Sequence, residues 1–394
     1  MQQRQGIRII GARGRSLWPL FGAVVWACSD AGGGDTPPPS PVGSAGTASQ
    51  SANGGAGSVG GVGAPGGSGG EPNNPNTLLG TPVGFVNDPP AEEPPPPPML
   101  FPESPSCVYG EPDECEGASC CAREGVPTGE IMLVAPNTGV SLSSYGLDKF
   151  EVTVARFRAF LGEYNAWRDS GNPAAGSGAH PFTPGSGWDQ DPTWEGALAG
   201  SAAVLRVGLA CNPTQQTWTD EPGVNDLRPI NCVSWFEAFA FCVWDEGRLP
   251  TEAEWQYAAV GGGQGRQFAW GNTGLMPSFA VYGCLFAGTG ATCSVDDIPP
   301  VGSKPDGRGR FGHSDLAGSV YEWTLDWFAP YPEALRDNYA KTDAGQGRVL
   351  RGGGWDSTST QALLSTGRLN HPAPTFRSIN SGIRCARDVE DMLR

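Results

Sequence analysis

Apolar positions recur at helical spacing in two places along the chain. Between 228 and 263, Trp235, Phe239, Cys242 and Val243 share one face of a helix opening at Ser234, and a second helix opens at Thr251. Each opening has the reciprocal pattern of a capping box, Ser234 with Glu237 and Thr251 with Glu254. Pro250 forbids one continuous helix, so the stretch reads as helix, Gly-Arg-Leu-Pro turn, helix. Further upstream, Thr153 suits an N-cap, and Val154, Phe157, Phe160 and Leu161 form the apolar stripe behind it. The run from Glu130, EIMLVAP, reads as a strand. From Asn172 to Asp226 the text is irregular, with Trp188, Trp194 and Trp218 set among Gly, Pro and Asp, as in a loop packed by its own aromatics or used for binding. After residue 268 short strands, turns and glycines dominate, which predicts antiparallel pairing and an α+β fold with few helices.

The N-terminal part cannot fold in this way. Residues 28–106 are Gly, Ser, Pro, Ala and Asn with few large apolar side chains and a proline run at 94–98, so this segment is read as a disordered tether. Ahead of it, Arg4, Arg8, Arg13 and Arg15 precede an apolar stretch, Leu17–Ala27, too short to span a bilayer, and Cys28 follows. Residues 1–27 read as a signal peptide, and Val25-Trp-Ala-Cys28 resembles a bacterial lipoprotein signal with Cys28 lipidated; Trp26 is bulky for that motif, which leaves ordinary secretion as the alternative. Both readings export the chain, to the cell envelope or beyond it. Without Cys28, ten of the 11 cysteines remain, an even number that in an oxidising compartment favours disulfides over metal thiolates. Cys107, Cys115, Cys120 and Cys121 form a small local unit at 107–127, with their pairing open. The net charge of −16 argues against a nucleic-acid partner, which needs a basic surface.

Seven motifs in order resemble the formylglycine-generating enzyme, or sulfatase-modifying factor, family over about residues 128–388. They are Asp148-Lys-Phe-Glu-Val-Thr, Pro229-Ile-Asn-Cys-Val-Ser-Trp, Gly247-Arg-Leu-Pro-Thr-Glu-Ala-Glu-Trp, Trp270-Gly-Asn, Asp315-Leu-Ala-Gly-Ser-Val-Tyr-Glu-Trp, Leu350-Arg-Gly-Gly-Gly-Trp-Asp and Gly382-Ile-Arg-Cys-Ala-Arg. The resemblance implies an irregular fold related to C-type lectins. It also implies oxidation of a sulfatase cysteine to formylglycine by copper held between two cysteine thiolates, soft ligands that suit Cu(I). Those two positions fall near Ser357 and Ala362, and 356–366 contains no cysteine, so copper chemistry of that kind looks lost and no catalytic residue is assigned. A structural calcium site carries over as Asp315, Gly318, Val320 and Glu322, oxygen ligands that calcium favours; solvated turn charges are the alternative. A second family site begins at Asn272, with later ligands around Val281 unassigned. The resemblance pairs Cys242 with Cys385; by proximity Cys211 pairs with Cys232 and Cys284 with Cys293, against the alternative of free buried thiols.

Other chemistry is weak. His180, His313 and His371 are too scattered for an iron centre. Trp235, Trp255, Trp270, Trp323 and Trp355 suit a core better than sugar stacking, and Arg248, Arg351 and Arg384 suit carboxylates or carbonyls in an irregular interior. The expected function is a non-catalytic binding or scaffold module for a peptide, protein or glycan, with a groove along Asp356–Arg368 and a lipid anchor in the membrane. The alternatives are a sulfatase-modifying oxidoreductase or other enzyme using that groove with different chemistry, and a calcium-dependent glycan binder.

Overall fold

The computed structural model describes residues 104–108, 114–133, 138–287, 292–332, 334–368 and 371–389. The signal segment, Cys28 and the tether up to residue 103 lie outside the described residues. In order, the elements are α1 (Pro105–Val108), β1 (Glu114–Cys115), β2 (Ala118–Ser119), β3 (Arg123–Val126), β4 (Gly129–Leu133), β5 (Thr138–Leu142), β6 (Tyr145–Asp148) and α2 (Val154–Asp169). Then come α3 (Pro192–Glu195), α4 (Ala202–Leu209), α5 (Trp235–Trp244), α6 (Glu252–Ala259), β7 (Tyr321–Trp327), β8 (Arg336–Asp337), β9 (Arg348–Arg351), α7 (Thr360–Leu363), β10 (Ser381–Gly382) and β11 (Ala386–Asp388). Three small sheets, β11-β6-β3, β4-β5-β8 and β10-β7-β9, are antiparallel except for two-residue parallel pairings of β5 with β8 and β7 with β10.

Both capping boxes form: Glu237 N–H donates to Ser234 Oγ at 3.3 Å and Ser234 N–H to Glu237 at 2.9 Å, and Thr251 exchanges the same bonds with Glu254 at 3.1 and 2.8 Å. Thr153 caps α2, whose Val154, Phe157 and Phe160 are buried. The one-face reading of α5 is too narrow. Trp235, Phe236, Glu237, Ala238, Phe239, Ala240, Phe241, Cys242 and Trp244 are all buried, so α5 runs through the core and is apolar all round, as such helices must be. Phe241 stacks on Phe157 with centroids 5.6 Å apart, while Trp188 and Trp194 of the irregular stretch close over Phe236, Phe239 and Trp235. That stretch is therefore packed by its aromatics.

The domain begins earlier than residue 128. β3 pairs with β6 over four residues, and Cys115 and Cys120 pack with Phe150 and Val301. Ser104 and Ser106 are also buried: Ser106 N–H donates to Asp245 at 2.9 Å, and Arg156 Nε donates to Ser106 Oγ at 3.0 Å, so the last residues assigned to the tether belong to the fold. Asp245, just after α5, accepts from Arg156 at 2.7 Å and from Arg387 of β11 at 2.6 Å. Arg156 also reaches Asp148 at 3.0 Å. Burial alone would raise the Asp148 carboxyl, but Arg156, Arg387 and Arg123 hold it below its usual range.

Five disulfides are present: Cys107–Cys121, Cys115–Cys120, Cys211–Cys232, Cys242–Cys385 and Cys284–Cys293. Among the described residues no helix is long and apolar enough to cross a membrane. Cys242–Cys385 joins α5 to the residue before β11 across 143 residues. A loop that long gives a constraint of about 5 kcal/mol on the unfolded chain in the loop-entropy account. Replacing both cysteines by alanine is expected to cost about 3–5 kcal/mol in guanidinium unfolding, and a loss below about 1 kcal/mol would show that the clamp does not hold the termini of the fold together.

Candidate functional site

The segment from Gly352 to Ser357 leaves β9 through a glycine turn. Gly353 has φ +83°, and a Cβ there would meet Leu363 at 2.7 Å, so the turn closes directly onto α7. Ser357 Oγ accepts from Gly354 N–H at 2.9 Å and lies 3.4 Å from the Tyr321 hydroxyl. Ala362 is buried in α7. The two positions expected for copper thiolates therefore carry a hydroxyl that closes a turn and a methyl group in the core.

Beside Ser357 opens a cavity of about 410 Å³, lined by Tyr321, Leu350, His371, Phe376, Ser378 and Asn380 among others. The groove expected along Asp356–Arg368 is corrected: no residue of that run lines the cavity, and only its Asp356–Ser357 end touches lining residues, Asp356 accepting from Asn380 Nδ2 at 2.8 Å and Ser357 lying against Tyr321. At the other end Arg368 forks onto Glu252 at 2.5 and 2.9 Å and lies over the rings of Phe328 and Tyr331, 4.3 Å from each. The opposite wall comes from 371–381, which three backbone donors fasten: Arg348 to Pro372 at 2.9 Å, Trp235 to Pro374 at 3.0 Å and Cys232 to Ser378 at 2.9 Å. Tyr321, Phe376 and Asn380 escaped the sequence reading because these walls are irregular and no period marks them. Two hydroxyls, an amide and aromatic faces, with no carboxylate, lysine or arginine among those six, suit an uncharged group of a peptide or similar ligand.

Of the expected calcium positions, Asp315 and Glu322 are buried, as are Gly318 and Val320 between them. Gly318 has φ +83°, and a Cβ would meet the Val281 carbonyl oxygen at 2.1 Å, so only glycine fits. Glu322 accepts from Arg384 Nη2 at 2.7 Å and from Trp255 Nε1 at 2.6 Å. Asp315 accepts from Gly302 N–H at 2.6 Å, and burial pushes its carboxyl up to about 6, with Glu116 and Glu322 adding to the rise. Glu151, which the sequence reading passed over as part of a motif, accepts from Ser319 Oγ at 2.9 Å and Val320 N–H at 3.0 Å. Burial first, then Asp315 and Glu322, push its carboxyl well above the usual range. Three buried carboxylates thus share one guanidinium, Arg384, which also donates to the carbonyls of Asp148, Lys149 and Ser314 at 2.8–2.9 Å. Among the described residues no group of three or more His, Cys, Asp or Glu side chains forms a metal cage, so cation binding here needs backbone oxygens.

The remaining candidates separate. His180 lies 3.3 Å from Glu254, His313 is fully buried elsewhere, and His371 stacks on Phe328 at the cavity wall. Trp235, Trp255, Trp323 and Trp355 are buried, whereas Trp270 is half-buried between Phe268 and Phe279. Arg248 holds Glu254 at 2.6 Å, and Arg351 donates to Gly367 O and Gln256. Asn272 is exposed and caps Gln267 N–H at 2.9 Å.

A model of the sulfatase-modifying factor enzyme 1-like domain matches residues 108–389. The chain belongs to the formylglycine-generating enzyme family. It is 31% identical to the formylglycine-generating enzyme of Streptomyces coelicolor over 263 residues, covering 64% of this chain and 80% of that one. It is 35% identical to the inactive C-alpha-formylglycine-generating enzyme 2 of Mus musculus, over 42% of this chain and 52% of that one. Hercynine oxygenase of Mycolicibacterium smegmatis matches at 31% identity, over 64% and 54%. Among solved structures, PvdO from Pseudomonas aeruginosa aligns with 68% of this chain and 94% of its own at 21% identity and a TM-score of 0.45. Within the family frame, Arg384 is the cation on which the buried acids depend. Arg384→Met is expected to destabilise the domain by about 3–5 kcal/mol in urea unfolding, because Glu322 is left buried and unpaired, and adding Glu322→Gln should recover part of the loss. An additive double variant would refute the pairing.

Proposed function

We propose that this domain is an exported, lipid-anchored member of the family that binds a peptide or protein segment in the cavity beside Ser357 without copper-dependent oxidation. The observation that carries this reading is the state of the sulfur. All ten cysteines from Cys107 onward are in disulfides, and no cysteine stands near Ser357 and Ala362, where the resemblance puts the copper ligands, so the described residues offer no thiolate to Cu(I). The five bridges fit an oxidising, extracytoplasmic setting, and the Val25–Cys28 motif supplies the anchor. The relative named as inactive supports the possibility that the frame persists without the oxidation.

Calcium belongs to the same proposal. Asp315 with the backbone carbonyls of Gly318 and Val320 would hold it, next to Glu322, and a cation there would favour the ionised form of the Asp315 carboxyl that burial disfavours. Its part would be structural, because Glu151 and Gly318 fix the turn leading into Tyr321 and so one wall of the cavity.

Two measurements test these statements. Copper-loaded protein incubated aerobically with a Cys-Thr-Pro-Ser-Arg-type peptide is expected to leave the peptide thiol unconverted; copper-dependent aldehyde formation would overturn the non-catalytic reading. Chelation with EGTA is expected to lower the melting temperature by several degrees, restored by added calcium, since a ligand at 100 times its Kd contributes about 2.7 kcal/mol. An unchanged melting temperature would show Asp315 to be a buried turn residue without a cation.

A further inference from the structure

The five disulfides divide by how exposed their cysteines are. Cys242 and Cys385 are each 0% exposed, Cys115 and Cys120 are buried as well, and Cys107 and Cys121 are both half-buried. In Cys211–Cys232 and Cys284–Cys293 one residue is buried while its partner, Cys211 or Cys293, is exposed. In each of these two bridges the buried cysteine is hydrogen-bonded to a segment at or next to the cavity. Cys284 N–H donates to the Trp355 carbonyl at 2.9 Å, two residues before Ser357, and Cys232 N–H donates to the carbonyl of the wall residue Ser378 at 2.9 Å. The Cys232 carbonyl in turn accepts from Arg377 at 3.3 Å.

Their backbones share a second property. Cys232 has φ +62° and Cys284 φ +53°, a left-handed conformation that residues with a Cβ rarely adopt, and among the described residues no other cysteine has it. Backbone strain of this kind persists where the surroundings over-determine it. Here each has a bridge to an exposed cysteine and one backbone hydrogen bond, Cys232 to the wall residue Ser378 and Cys284 to Trp355.

We propose that Cys211 and Cys293 are sites of thiol–disulfide exchange, and that the two bridges set the shape of the cavity while Cys242–Cys385 keeps the fold in either redox state. The reactant is a dithiol. One thiolate attacks Cys293 Sγ, a new S–S bond forms to it, and the Cys284–Cys293 bond breaks with Cys284 Sγ leaving as a thiolate that takes up a proton. The second thiolate of the reagent then attacks its own sulfur in the mixed disulfide and releases Cys293. The bridge gains two electrons and the dithiol ends as a disulfide. Cys211–Cys232 reacts in the same way through Cys211. Opening at Cys284 releases the backbone that bonds Trp355, and opening at Cys232 loosens Ser378. The meaning of this device for binding rests on the proposed cavity function, but its chemistry does not.

The native protein should be treated with stepped concentrations of dithiothreitol, quenched with iodoacetamide and mapped by peptide mass spectrometry. Cys211, Cys232, Cys284 and Cys293 are expected to be alkylated at least tenfold faster than Cys242 and Cys385. Labelling of all six at one rate, or earlier opening of Cys242–Cys385, would overturn the proposal. Because reduction could be local yet silent, hydrogen exchange on the Cys284→Ser/Cys293→Ser variant supplies a second reading. Faster exchange confined to peptides spanning 281–287 and 353–358 is expected, and unchanged exchange there would refute the link to the cavity. Neither readout uses a ligand, so failure of the binding proposal leaves both outcomes interpretable.

Discussion

The last turn of α5 is pinned twice to the end of the chain, by the Cys242–Cys385 bridge and by Asp245 on Arg387, and most of the domain depends on that double attachment. A charge buried as deeply as Asp245 is tolerable only when its hydrogen-bonding capacity is filled. Arg156 of α2, Arg387 of β11 and the Ser106 backbone fill it, so the condition for burying one carboxylate draws the first described residues, a long helix and the last strand to a single point. Removing any one partner leaves a buried ion exposed to the full desolvation penalty, which makes the arrangement cooperative.

The same physics recurs because regular structure is scarce. Strands of two to seven residues leave many carbonyls and amides outside any ladder, and buried backbone groups must find partners. Side chains supply them. Arg384 takes three carbonyls, Asn231 bonds the carbonyls of Gln215 and Ile379, and the Trp235 and Trp323 indoles donate to the carbonyls of Thr324 and Val233. Arg348, held between the rings of Trp235 and Trp327 at 3.6 and 4.0 Å, has its guanidinium pushed down to about 9 by burial, yet it still donates to Leu325 O. Polar side chains do here what strands and helices do elsewhere.

That substitution explains what the sequence disclosed. Capping boxes at Ser234 and Thr251 are local, three-residue patterns, and they were legible, as were the motif arginines that an irregular interior needs. The full burial of α5 was not, because its Phe236, Ala240 and Phe241 face partners in Trp188, Trp194 and α2 that no spacing within 228–263 announces. β3 was missed for a similar reason: four residues, Arg-Glu-Gly-Val, show no alternation, and only pairing with β6 makes them a strand. At the site, the glycine turn and the missing thiols could be read directly, whereas Tyr321, Phe376 and Asn380 meet across segments remote in sequence. Glu151 lay inside a quoted motif, but its role depends on Ser319 and Val320, 168 and 169 residues away.

The residues of the frame and those at the positions expected for copper thiolates are separate sets, so the frame places no demand on what stands there. Ser357 and Ala362 take no part in the Asp245 node, the Arg384 cluster or either capping box. Ser357 completes a turn through two hydrogen bonds with Gly354, and Ala362 fills a small volume in α7, so neither position demands a thiol for stability. In an oxidising compartment a thiol pair there would also be free to exchange with the exposed sulfurs at Cys211 and Cys293. A hydroxyl and a methyl remove that competition and leave the bridges beside the cavity to pair only with their own partners. Trp355 and the wall residue Ser378 are bonded to Cys284 and Cys232, so the backbone at the cavity is tied to these two disulfides.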